Sequence, residues 1–106
     1  MSYNTPEGKV KRKVVELLKK HGVWYFFPAS NGYGKAGIPD IIAIAGGEFV
    51  GIEVKADRTK KPTALQVKCG KEIEAAGGTW MVVFDEITLS VLEAVIINRM
   101  DTGTTC

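Results

Sequence analysis

The chain has 106 residues, 45% apolar and 25% charged; this length and balance exclude intrinsic disorder as the main state and predict a single domain, residues 1–106, around one core. Its apolar stretches, such as residues 41–45 and the Glu93-interrupted residues 91–97, fall far short of the about 20 residues that cross a bilayer, so a helical membrane span is excluded. With no basic, apolar, small-residue segment opening the sequence, a cytoplasmic protein is expected.

The net charge of +2 hides an asymmetry. Residues 1–71 carry 13 of the 14 Lys and Arg but six of the 12 Asp and Glu, a net +7, whereas residues 72–106 carry one base and six acids, a net −5. A solvated surface explains many lysine runs, but so large an imbalance in a small domain suits a polyanion equally well, which makes nucleic acid a working partner. Cys69 and Cys106 stand in no metal-ligand spacing, and no structural disulfide is expected from them.

In chain order, Thr5-Pro6 has the signature of a helix N-cap and first turn, and Val10, Val14, Leu17 and Leu18 recur at helical spacing up to His21-Gly22. His21, the only histidine, reads as part of the helix C-cap. Residues 23–28, rich in aromatic and β-branched side chains, predict a strand in which Trp24 to Phe27 serve core and sheet packing. Residues 29–37 hold three glycines with Ser30 and Asn31 and predict a loop. Residues 39–45, the pair Gly46-Gly47 and residues 48–55 predict a β-hairpin. A charged loop over residues 56–62 leads to Thr63, which caps a helix running to Ala76, where Gly77-Gly78 ends it. Residues 79–84 predict a fourth strand with Trp80 in the core. Leu89, Leu92, Val95 and Ile96 predict a last helix ending near Arg99, with a frayed tail from Asp101. The order αβββαβα gives an α/β fold, a mixed sheet covered by helices.

The hairpin locates the chemistry. A two-residue turn at Gly46-Gly47 pairs Ala45 with Glu48 and therefore sets Asp40 opposite Glu53. Directly opposed residues hold their Cβ atoms about 5 Å apart, where like charges repel. A divalent cation between the carboxylates removes that repulsion, and an all-oxygen donor set is what Mg²⁺ or Mn²⁺ prefers. Lys55 projects from the same face as Glu53. Gly51, also on that face, is expected to keep space open beside the carboxylates, while Ile52 and Val54 point to the core. The plainer alternative is a surface salt bridge among Asp40, Glu53 and Lys55, an interaction worth little by itself.

Ile38-Pro39-Asp40, followed after twelve residues by Glu53-Val54-Lys55, resembles the PD-(D/E)XK nuclease motif. Together with Glu7, the Gly-rich approach over residues 32–37 and Gln66 on the next helix, it resembles the VRR-NUC family, the virus-type replication-repair nucleases, in their stand-alone viral or bacterial form. The resemblance covers about residues 5–85. It implies a restriction-endonuclease-like αβββαβ core with an added C-terminal helix, and a Mg²⁺- or Mn²⁺-dependent endonuclease acting on DNA, with branched structures such as Holliday junctions as the substrate class. Asp40, Glu53 and the Val54 backbone carbonyl would hold the metal, and Lys55 would orient water or neutralise developing charge. Glu7, which helix electrostatics alone could favour in a first turn, would take part through a metal-bound water. Gln66, otherwise a plain solvated residue, would approach the active site; the aromatic that often follows it is replaced here by Val67, Lys68 and Cys69. Resolving a junction takes two cuts, so a homodimer is expected, with the C-terminal helix either at the interface or completing the core.

Lys60 and Lys61, with Arg58, Lys68 and Lys71, form the densest basic patch and are expected to meet DNA phosphates, a solvated loop being the alternative. Lys35 is expected to reach the backbone of a bound strand and Tyr33 to stack on a base. The lysines of the first helix are spread around it and read mostly as a solvated face. Flap, nicked or general duplex DNA remain alternative substrates, and a catalytically idle nucleic-acid-binding module is the alternative of another class.

Overall fold

A computed structural model describes residues 3–29 and 34–104, the side chains of residues 102–104 excepted. Cys106 lies outside the described residues. The elements follow the expected order: α1 (Pro6–Lys20), β1 (Trp24–Phe26), β2 (Ile41–Ala45), β3 (Glu48–Val54), α2 (Ala64–Ala75), β4 (Thr79–Val83) and α3 (Glu86–Thr104). Helix α1 begins where the Thr5 hydroxyl accepts the Gly8 N–H at 3.0 Å, with Pro6 in the first turn, and it ends on His21.

The sheet runs β1-β2-β3-β4, with the first two pairings antiparallel and β3 parallel to β4. That parallel pair requires a crossover, which α2 supplies. The β2–β3 turn is built on Gly46 and Gly47, both with positive φ (58° and 82°), the geometry of a two-residue hairpin turn. Side chains alternate across the sheet. Ile41, Ala43 and Ala45 of β2 and Val50, Ile52 and Val54 of β3 join Val14 and Leu18 of α1 and Leu92 and Ile96 of α3 in the main core. The opposite face meets α2: Ile73 lies near Gly51 and Gly78, and Gly70 passes so close to Trp80 that a Cβ there would stand 2.2 Å from the indole.

Four expectations are corrected. The first strand is shorter than residues 23–28, and Trp24 and Phe26, 60% and 43% exposed, lie on the α2 face at the sheet edge rather than in the core. Helix α2 covers β3 and β4 and leaves that edge bare, whereas Tyr25 and Phe27 turn inward. Strand β2 starts at Ile41, not Pro39, because Pro39 has no N–H to donate and Asp40 uses its side chain instead of its backbone, as described below. Gly51 does not hold space open: a Cβ there would meet the Pro39 ring at 2.8 Å, so the residue makes room for the turn that carries Asp40. Finally, α3 is one helix of 19 residues that continues through Asp101 rather than fraying there. It starts earlier than expected because Asp85 caps it, its carboxylate accepting the Thr88 N–H at 2.8 Å.

Candidate active site

The hairpin pairs Ala45 with Glu48 and Ile41 with Ile52, the register read from the glycine turn. Asp40 sits one residue beyond the last pair. Its Oδ2 accepts the backbone N–H of Val54 at 2.8 Å, closing the hairpin with a side chain where a backbone carbonyl would otherwise serve. The approach to Asp40 is fixed by Gly37: φ is 77°, and a Cβ would lie 2.2 Å from the Leu65 carbonyl oxygen in the first turn of α2. Only glycine allows that contact, and it docks the Ile38-Pro39-Asp40 segment against α2.

Glu53 is wholly buried, the one charged side chain among the buried residues that the structure describes. Burial first, and then the adjoining Asp40 carboxyl and its charge, push its pKa up to about 9, against the opposing pull of Lys55. Oε1 accepts Nε2–H of Gln66 at 3.1 Å. Oε2 is buried with no partner among the described residues. Such an orphaned acceptor normally costs about 1–3 kcal/mol, so its presence marks a site built for something else.

Gln66 organises the rest. It is the third residue of α2, in a capping box with Thr63: the Gln66 N–H donates to the Thr63 hydroxyl at 3.2 Å and the Thr63 N–H to Gln66 Oε1 at 2.8 Å. The same Oε1 accepts from Lys55 Nζ at 3.1 Å. One amide thus ties Lys55 to Glu53 and fixes both to the start of α2. Glu7, in the first turn of α1, is near enough for its charge to raise the Glu53 pKa further. Asp40, Glu53, Lys55 and Gln66 are therefore brought together, with Glu7 acting on Glu53 only through its charge; among the described residues no three acidic, His or Cys side chains cluster as a metal site, which leaves Asp40 and Glu53 as the acidic pair.

The expected DNA contacts are placed less uniformly. Arg58, Lys60, Lys61 and Lys68 are exposed, the first three on the loop that leaves β3. Lys35 is not a free cation: its Nζ pairs with Glu72 on α2 at 2.9 Å, which holds its pKa up. Tyr33 lies outside the described residues. His21 closes α1 as expected and also bonds the Glu93 carboxylate at 2.8 Å, tying α1 to α3. Sequence reading missed Lys11 and Phe27, which line a cavity of about 550 Å³ together with Asp40 and Gln66. Lys11 follows Glu7 by four residues on α1, so one helical turn places both on the site-facing side, a signal present in the sequence.

Residues 4–75, from the cap of α1 to the end of α2, match the family described as archaeal Holliday junction resolvase (hjc). No curated protein matches the chain. The fold is similar to a solved structure titled "VRR_NUC domain", with 26% identity and a TM-score of 0.72 over 83% of this chain and 94% of that one. The matched stretch contains Glu7, Asp40, Glu53, Lys55 and Gln66 and the elements that position them. The chain belongs to the archaeal Holliday junction resolvase (Hjc) family, and with it to the PD-(D/E)XK nucleases.

Proposed function

We propose that the protein is a divalent-metal-dependent endonuclease that cuts branched DNA, Holliday junctions first, by phosphodiester hydrolysis. The observation that carries this reading is the buried Glu53 carboxyl beside Asp40, one of its oxygens unpartnered among the described residues. A cation fits there: its charge would let Glu53 ionise in a buried place, and oxygen donors alone suit Mg²⁺ or Mn²⁺. Asp40, Glu53 and the Val54 carbonyl would hold it, with Glu7 reaching it through water. When bound, such an ion supplies charge that polarises a phosphodiester and makes water a better nucleophile.

The remaining steps belong to the chain's own side chains. Lys55, held by Gln66, orients the attacking water or offsets negative charge gathering on the phosphoryl oxygens. Gln66 keeps that ammonium and the Glu53 carboxylate at a fixed separation. Arg58, Lys60, Lys61 and Lys68 meet backbone phosphates, which supplies affinity without sequence preference.

The protein acts as a homodimer, since two symmetric cuts resolve a junction. The apolar patch of Trp24, Phe26, Ile44 and Phe49 supports this, because Ile44 faces Trp24 on one side and Phe49 on the other, and α2 leaves all of them exposed. Among the described residues no helix is long and apolar enough to cross a membrane; a reducing cytoplasm suits the free, buried Cys69.

The test is incubation of the protein with labelled four-way junction, flap, nicked and duplex DNA in Mg²⁺, Mn²⁺ or chelator. Paired cuts in the junction, dependent on metal and lost in Asp40→Asn, are expected. Preferential cutting of another substrate changes the substrate class, and metal-independent retention without cutting leaves only a binding module.

A further inference from the structure

The cavity beside Asp40 and Gln66 is larger than the carboxylate site needs. Its wall across from α2 is made by Lys11 of α1 and by Phe27 and Pro28, just past the end of β1. At about 550 Å³ it exceeds the roughly 300 Å³ that begins the usual range of small-ligand sites, and one nucleotide fits. Two lysines line it. Lys35 is neutralised by Glu72. Lys11 has no carboxylate partner among the described residues; its Nζ instead lies over the Phe27 ring, 4.5 Å from the centroid.

That arrangement has a physical consequence. An ammonium on a four-carbon stem is mobile and well hydrated, so ordering it on an anion costs conformational entropy. The ring face restrains Lys11 before any ligand arrives and leaves its positive charge uncompensated. Phe27 is itself fixed, half-buried against the core and edge-on to Tyr25 with centroids 5.8 Å apart. A preset cation lining the same cavity as Asp40 and Gln66 suits a phosphate next to the one being cut.

We propose that Lys11, held on the face of Phe27, binds the phosphate adjoining the scissile one, and that the cavity seats the nucleotide between them. The site rests on the nuclease reading above and adds a positioning residue on α1 to it. Its function is register: with Lys11 anchoring the neighbouring phosphate, the scissile phosphate is set against Asp40 and Glu53, and one strand of the duplex or junction is selected by its path along α1.

The test uses steady-state cleavage of the best DNA substrate by the wild type, Lys11→Ala, Lys11→Arg and, as a surface control nearly opposite on α1 at about 200° of helical rotation, Lys9→Ala. Lys11→Ala should raise KM about tenfold and flatten the dependence of binding on salt by about one phosphate contact. Lys11→Arg should recover most of that loss and Lys9→Ala should match the wild type. The decisive arm replaces single phosphates flanking the cut by neutral methylphosphonates. At one flanking position the wild type should lose about as much as Lys11→Ala, and the variant should lose nothing more. Phe27→Leu, which keeps the packing volume and removes the ring face, should show a weaker form of the same pattern. A Lys11→Ala deficit that persists undiminished with every flanking phosphate neutralised, or no deficit on natural DNA, overturns the proposal while leaving the nuclease standing. A wild type that cuts none of the substrates in any metal removes both.

Discussion

Gln66 donates its side-chain amide to Oε1 of Glu53 at 3.1 Å, leaving Oε2 of the same carboxyl buried without a partner among the described residues. The amide oxygen is already engaged by the Thr63 N–H and by Lys55. The residue that starts α2 therefore also sets the geometry of the acidic pair, and substitutions there should separate the two roles. Gln66→Ala loses the capping box and the link to Glu53; it should cost about 1 kcal/mol of stability and lower kcat at least tenfold. Gln66→Glu keeps a capping acceptor but sets a second negative charge beside Glu53, so stability should largely return and activity should not. Thermal melts and single-turnover cleavage on the same preparations check this; activity that tracks stability across both variants would assign Gln66 a capping role only.

Asp40→Asn, Glu53→Gln and Lys55→Ala should each lower cleavage by a factor of about 10³ or more while the proteins stay folded, in line with losses seen when charge-stabilising groups are removed from active sites. Titration calorimetry with Mn²⁺ distinguishes them. The two carboxylate variants should lose the binding heat, and Lys55→Ala should retain it. Undiminished Mn²⁺ binding by Asp40→Asn would move the cation elsewhere.

The pH dependence of stability follows from Glu53. Its folded pKa, about 9, lies above the ordinary carboxyl value of 4.5. Without metal, the folded state keeps the proton while the unfolded chain releases it, so the stabilising contribution is complete below about pH 4.5 and declines as pH rises towards 9. Against Glu53→Gln, which does not titrate, metal-free wild type should lose stability progressively between pH 5 and pH 8. Mn²⁺ should restore more stability at pH 8 than at pH 5. Parallel stability curves for the two proteins in chelator would show that Glu53 ionises normally.

Much of this site was legible in the sequence because it hangs on a rigid local device. Two consecutive glycines fixed the hairpin register to the residue, and alternation then put Glu53, Gly51 and Lys55 on one face. Illegible were contacts that depend on how elements stack. Asp40 reaches Val54 through its side chain, which no strand pattern reveals. Trp24 and Phe26 have the composition of core residues and are exposed because α2 stops short of the sheet edge. Lys11 belongs by composition to a solvated helix face, yet it lines a cavity together with Phe27, Asp40 and Gln66. The early start of α3 was readable in Asp85 and Thr88, whereas its continuation past Arg99 had no stop signal before Gly103.

The bare sheet edge gives the prediction for assembly. Replacing Trp24 and Phe26 by serine removes apolar surface that is exposed in the isolated chain and should not lower its melting temperature by more than a few degrees. Sedimentation should then shift from dimer to monomer, and junction products from paired cuts to single nicks. A dimer that survives this pair but yields to Ile87→Ser/Val91→Ser on the exposed side of α3 would place the interface on that helix instead.

On the loop after β3, Lys60→Ala/Lys61→Ala should weaken binding and reduce the salt slope by about two phosphate contacts with kcat little changed. An equal loss in kcat with unaltered binding would place these lysines in the chemistry.

The most direct measurement is anomalous diffraction at the manganese edge from crystals of the wild type and of Asp40→Asn, each grown with Mn²⁺. A single strong peak in contact with the Asp40 and Glu53 carboxylates, absent from the variant, is expected. Crystals of an enzyme that cuts DNA with Mn²⁺ yet bind the ion only away from that pair would contradict the assignment of these carboxylates as its holders.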